Sequence, residues 1–423
     1  MIERWRYVLG ELSQKLWIRS GLFVMLGIAV VPLSIVAEPL IPTDLAFELG
    51  SDAVGSILTV LASSPLAVTT FSLSTMLQAA AAVMDDTTPR AAKLLLDDRG
   101  TQNALAAFVG AFMYSLVGII VLRTGVLNVQ GRLVLLATTM LVVVLLVIIL
   151  LRWIDLLSRI ARIDETLDRV EDALRDALSA RRRDPHLGGS APGEIPTDAV
   201  PLVADRIGHV SYVDVEALSR VAEAHGAQVH LVAPPGTHVM PPQPLLWYEP
   251  GADRASLDDL PGDERRRLLR ALVIKPRRTF DQDPRFGMVV LAQIASRAMS
   301  PAVNDPGTAI DAVDVAVRAL GSWVGVDCDV EPRAPRFPRV LVPALTADDL
   351  LDDLVPAVGR DGAGNVAVAS RLLEVLVSLA ALHPVFEAPA RRHAQMAVER
   401  ALHALTLPQD REIVRASGAP LLE

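Results

Sequence analysis

The chain has 423 residues, enough for two or three folded units, with 49 acidic and 40 basic residues and a formal net charge of −9. That balance, with 4% aromatic residues and no basic face interleaved with aromatics, argues against nucleic acid as a partner. The one cysteine, Cys328, excludes an intramolecular disulfide, and no CxxC pair is available for metal or redox chemistry.

Hydropathy is unevenly spread. The mean is positive, and the excess lies in four stretches of the first third, 18–37, 54–84, 104–122 and 133–154. Each approaches or exceeds the roughly 20 apolar residues needed to cross about 30 Å of hydrocarbon. The expected fold is therefore an α-helical membrane domain of four spans (1–153), then a mixed α+β region. That region divides into a helical extension (154–183), a linker with a small β-rich module (184–260) and a mainly helical part (261–423).

At the start, Trp5, Leu9, Leu12 and Leu16 recur at helical steps among Arg4, Arg6 and Lys15, the pattern of an interfacial helix. Charges recur through this stretch and no small-residue cleavage site follows, unlike a signal peptide. Basic residues then alternate from loop to loop. The N-terminal segment has Arg4, Arg6, Lys15 and Arg19, whereas loop 38–53 has no Lys or Arg. The next loop has Arg90, Lys93 and Arg99, and loop 123–132 only its two edge arginines. After the fourth span come Arg152, Arg159, Arg162 and Arg181 to Arg183. The positive-inside rule then puts both termini in the cytoplasm.

The second span differs from the others. Ser56, Thr59, Ser63, Ala67, Thr70, Ser74 and Gln78 follow one another at steps of three or four, which draws one small-and-polar stripe along a helix. Two readings stand: the stripe packs against another helix of the same chain, or it lines a water-filled path between several copies. Ser63-Ser64-Pro65 lies within it, and proline tends to kink a helix. The preceding loop carries Glu38, Asp44, Glu48 and Asp52 without a basic residue. At an external mouth these carboxylates would concentrate cations, and otherwise they form a solvated acidic loop. The third span has Gly110 and Ser115 among small residues suited to close packing, and Tyr114 needs a hydrogen-bond partner. The fourth has only Thr138 and Thr139 as polar residues and reads as lipid-facing.

Beyond the fourth span, Ile163, Leu167, Val170, Leu174 and Ala177 keep heptad spacing over about two heptads. This fits either a coiled coil between copies or one amphipathic helix packed on its own chain. Residues 181–198 are a Gly/Pro-punctuated linker, followed by strand, short helix and two or three strands around Pro-Gly turns. His209, His225, His230 and His238 fit no zinc spacing. From Asp263 helices dominate, interrupted by a strand-like ALVIKP and a break at 300–306. In that break Asn304-Asp305-Pro306 is N-cap chemistry, with Thr308, Asp311 and Asp314 close behind. These residues form a candidate motif for the C-terminal region, and they lack the ligand set of a metal site. Three further helices are expected at 346–359, 366–382 and 389–405.

The phrases TPRAAKLLLDDRGTQ, PPGTHVMPPQPLL and FDQDPRFGMVVLAQIASRAMSPAVNDPGTAIDAVD carry a resemblance. The chain resembles the bacterial predicted membrane proteins grouped as domain of unknown function 2254, with Thr88 where serine is expected. The resemblance implies an integral membrane protein with a cytoplasmic domain and brings no catalytic residues; the expected location is the inner membrane. No G-x-S-x-G, phosphate loop, H-E-x-x-H or dinucleotide fingerprint occurs, so neither enzyme activity nor a cofactor is expected. The leading expectation is a homo-oligomeric ion channel in the bilayer, lined by the striped helix. The alternative is a non-conducting, membrane-anchored regulator or scaffold whose cytoplasmic region binds a ligand or protein.

Overall fold

The computed structural model describes residues 51–86, 99–124, 129–160, 163–251, 260–325 and 333–422, with Gly21, Met25, Ile28, Ala29, Pro32, Arg90 and Leu127 besides. Two compact units result, one from the apolar third up to Glu165 and one mainly from Thr166 to Glu423.

In the first unit three helices are long and apolar enough to cross a membrane. Helix α1 (Ser51–Asp86) contains the stretch Val54–Gln78, α2 (Arg99–Arg123) contains Asn103–Arg123, and α3 (Val129–Ile160) contains Gly131–Asp155. The expected first span, 18–37, lies outside the described residues apart from five helical positions, as does most of loop 38–53.

Small residues let these helices approach, as packing in lipid requires. A Cβ added at Gly118 of α2 would lie 3.2 Å from both Leu58 methyl carbons of α1, and Ala106, Ala107 and Ala111 are buried. The Tyr114 hydroxyl meets Thr138 Oγ1 at 3.0 Å and Thr139 Oγ1 at 3.1 Å, so the polar atoms of α2 and α3 satisfy each other. Trp153 of α3 donates its indole N–H to Ser72 Oγ of α1 at 2.7 Å. The rest of α3 is lipid-like, with Leu141, Val144, Val147, Leu151 and Ile154 all exposed.

The second unit opens with α4 (Ile163–Arg183). Its heptad positions Leu167, Val170, Leu174 and Ala177 are buried in the chain's own fold, with Leu174 directly against Gly287. The face that spacing offered to a partner helix is thus occupied by the chain itself. Two small sheets follow. Strands β1 (Val200–Val203), β3 (Gln228–Leu231), β5 (Pro244–Glu249) and β7 (Val340–Leu341) make one, in the order β1-β5-β3-β7. Strands β2 (Gly208–Val213), β4 (His238–Val239) and β6 (Leu272–Lys275) make the other, in the order β4-β2-β6. β6 and β7 come from beyond residue 260, so the β module does not end where composition places its edge. The β7 pairing is parallel and two residues long, too short for hydropathy to signal.

Helices α5 (Val215–Ala224) and α6 (Gly262–Ala271) cover the sheets with Leu218, Val221, Ala222 and Leu268. The remaining helices are α7 (Pro284–Ala298), α8 (Pro306–Val324), α9 (Ala347–Asp361), α10 (Val366–Leu382), α11 (Glu387–Ala404) and α12 (Pro408–Leu422). α7 packs on α8 and α9 and buries nearly all its faces, while α10 packs on α8, α11 and α12. The last helix, α12, is an element the sequence reading did not distinguish.

Candidate functional site

Helix α1 carries the arrangement with the most functional content. Val54, Leu58, Leu61, Pro65 and Ser72 are buried. At about 100° per residue they all lie roughly opposite the stripe. Ser56, Thr59, Ser63, Ala67, Thr70, Ser74 and Gln78 are all exposed. The stripe therefore points away from the other described helices, and close packing against them is not its role. Exposed Val60, Leu66, Phe71, Leu73 and Leu77 flank it on both sides.

The hydroxyls are held by their own helix. Thr59 Oγ1 donates to the Gly55 carbonyl at 2.7 Å, Ser63 Oγ to Val60 at 3.2 Å, Ser64 Oγ to Val60 at 2.8 Å and Thr70 Oγ1 to Ala67 at 2.9 Å. Gln78 Nε2 reaches Ser74 Oγ at 3.2 Å. Each hydroxyl has one hydrogen, and these are engaged inward, so the oxygens present lone pairs outward. Such a surface offers acceptors for hydrogen bonds from outside the helix. The helix runs unbroken through Pro65. The proposed mouth residues Asp44 and Glu48 lie outside the described residues; Asp52 falls in the first turn of α1.

The motif around Asn304 resolves into helix capping. Asn304 takes a left-handed backbone, φ 50°, which asparagine tolerates better than most residues. It turns the chain so that Asp305 caps α8, accepting from Thr308 N at 3.2 Å and Thr308 Oγ1 at 2.6 Å. Those bonds hold the Asp305 carboxyl below the usual range. Asp314 pairs with Arg371 at 2.8 Å, and Asp311 is exposed, so the three carboxylates do not converge. Among the described residues no group of His, Cys, Asp or Glu is placed to hold a metal ion. His225 pairs with Glu264 and His230 with Glu249, while His209 stacks edge-on with His238, centroids 4.9 Å apart.

A buried ionic network around FDQDPRF could not be read from the sequence, because the spacing of its charges does not reveal their burial. Asp283, 1% exposed, caps α7 and accepts two bonds from Arg278, at 2.7 and 2.9 Å. Burial pushes its carboxyl up, and Arg278 pulls it back. Arg285 bridges α7 to Asp349 and Asp353 of α9. On α4, Glu171 is gripped by Arg318 of α8, Nε to Oε2 at 3.0 Å. Arg181 of the same helix lies buried with only Nη2 bonded, to the Pro343 carbonyl at 3.3 Å. Burial lowers the Arg181 pKa to about 10, opposed by the Asp283 and Asp349 charges. Every carboxylate here faces an arginine or caps a helix, which is the arrangement of a structural clamp holding α4, α7, α8 and α9 together.

The fold combines three helices long and apolar enough to cross a membrane with a second, mixed α+β unit. The chain belongs to the family described as "Predicted membrane protein (DUF2254)", which it matches over residues 13–378. It is similar to uncharacterised proteins of Mycobacterium bovis and Mycobacterium tuberculosis, 40% identical over 123 residues. The matched stretch is 29% of this chain and 23% of the length of those relatives. No solved structure matches the chain.

Proposed function

We propose that the protein is a subunit of an oligomeric, channel-like conductor in the bacterial inner membrane, with both termini in the cytoplasm and no enzymatic activity. The observation that carries this reading is the direction of the α1 stripe, on the face opposite Val54, Leu58 and Leu61. A polar stripe along about 25 residues of span is poorly suited to lipid on every side. Copies arranged around an axis would bring their stripes together and shelter them. The outward lone pairs of Thr59, Ser63 and Thr70 then suit hydrated cations, and acidic Asp44, Glu48 and Asp52 would concentrate cations at the mouth. The second unit, clamped through α4, would assemble or control the pore.

One observation favours the alternative, a non-conducting membrane-anchored regulator. The intrahelical bonds already satisfy the stripe hydroxyls, so the stripe survives without water. Conductance of the purified protein in planar bilayers separates the two. The conductor reading expects ion flux that large side chains at Thr70 and Ser74 reduce, together with an oligomer in mild detergent. A monomer in detergent with no flux across pH would leave only the regulator.

A further inference from the structure

The three-stranded sheet ends in exposed apolar side chains that the fold does not use. In β2 and β4, Gly208 pairs with Val239 and His209 with His238. Continuing that antiparallel register by one residue sets Ile207 opposite Met240. The two loops they sit on are tied side by side. Ala204 N donates to the Gln243 carbonyl at 2.9 Å, and Gln243 N closes the adjoining turn on the Met240 carbonyl at 2.7 Å. Ile207 is 69% exposed and Met240 43%, and Pro241 and Pro242 beside them are exposed too. Pro241 and Pro242 are ordinary turn residues, whereas Ile207 and Met240 set two large apolar side chains next to each other at a loop tip, where an apolar environment would shelter them.

The charges nearby indicate which one. On the other side of β2, His209 pairs with Lys275, and Arg277 follows two residues on, exposed. Asp205 and Arg206 neutralise one another through two bonds of 2.8 Å, and Arg278 is engaged by Asp283. Arg277 therefore gives this sheet end its outward positive charge. Two large apolar side chains beside an exposed cation is the composition of a surface that enters the headgroup layer of an anionic membrane. Detached in solution it would bind weakly. The chain's own spans keep a bilayer within reach, and that tethering raises the effective concentration of lipid.

We propose that this sheet end inserts shallowly into an anionic bilayer, with Ile207 and Met240 at the acyl boundary and Arg277 against lipid phosphate. The inference does not depend on conduction. The test uses the full chain with Cys328→Ser, reconstituted in vesicles of phosphatidylglycerol and phosphatidylcholine that include lipid brominated high on the acyl chain. The single substitutions Ile207→Cys, Met240→Cys and, as a control at an exposed charged position of α11, Glu399→Cys each carry an environment-sensitive fluorophore. Bromolipid quenches the labels at positions 207 and 240 and spares the one at 399. Arg277→Glu weakens the association that gives quenching at position 207 by at least about fivefold, the worth of one cation at such a surface. Equal, weak quenching at positions 207 and 399 overturns the proposal. So does oxidative cross-linking of two copies of the unlabelled Ile207→Cys variant without bromine quenching of the labelled one, which makes a second copy the occupant. Quenching indifferent both to Arg277→Glu and to removal of phosphatidylglycerol refutes the recognition of anionic lipid.

Discussion

Leu174→Ala measures whether α4 belongs to its own chain or to a helix of another copy. Leu174 is fully buried, and its Cδ1 and Cβ lie 2.9 and 3.0 Å from where a Cβ on Gly287 would sit. Truncating a leucine so enclosed costs about 3–5 kcal/mol, from lost transfer energy and the cavity left behind. For a unit of this size that lowers Tm by about 6–20 °C. Gly287→Ala is the reciprocal change: its methyl would press on the Leu174 stem, close to the α4 backbone, and costs about 1–3 kcal/mol by overpacking. In the double variant the Cδ1 and Cγ contacts are gone while the Cβ of residue 174 stays close, so the overpacking is partly relieved and the combined loss is smaller than the two single losses together. Thermal unfolding in detergent at several protein concentrations is the assay. Intrachain packing gives a Tm shift independent of concentration. Additive single losses, or a Tm shift on Leu174→Ala that itself varies with protein concentration, would refute this account and restore a coiled coil.

Ser72→Ala removes the acceptor of the Trp153 N–H and should cost about 0.6–1.7 kcal/mol, the range for hydrogen bonds between membrane helices; Ser72→Thr, which keeps the hydroxyl, should recover most of it in the same unfolding assay. Arg278→Ala strands the buried Asp283 carboxylate at a cost of about 3–5 kcal/mol, and adding Asp283→Asn should return part of that loss, which a denaturant series would show. His393 is fully buried with Nε2 3.0 Å from Asp352, and burial, then the Arg392 charge, holds its pKa below the ordinary imidazole value. The unfolded state therefore takes up the proton first, so stability is complete above about pH 6.5 and declines on acidification by up to about 1.4 kcal/mol per unit. His393→Gln should flatten that part of the Tm–pH curve, and an unchanged slope would assign the decline elsewhere.

Much of the architecture was legible because it is written in local periodicity. The three described spans, the strand and helix around Asp214, and the cap at Asp305 all follow from hydropathy, alternation or turn chemistry between near neighbours in the chain. The helix expected at 366–382 is found at Val366–Leu382. The parts that were not legible depend on residues far apart. β7 is two residues long and takes its register from Val229 and His230, more than a hundred positions earlier. Arg278 and Asp283 are five apart, and the sequence says nothing of the burial that makes their pairing matter.

The stripe on α1 shows the same division. Its existence is a property of the sequence alone, since helical geometry aligns residues three and four apart whatever surrounds them. Its direction is a tertiary fact: Leu58 under Gly118 and Ser72 under Trp153 set the rotation of α1, and that rotation leaves the hydroxyls outward. The heptads of α4 went the other way. Spacing made an apolar face and could not name its partner, because burial against Gly287 and burial against a second copy require the same pattern. Only packing distinguishes a face the chain covers itself, as on α4, from one that the other described helices leave uncovered, as on α1.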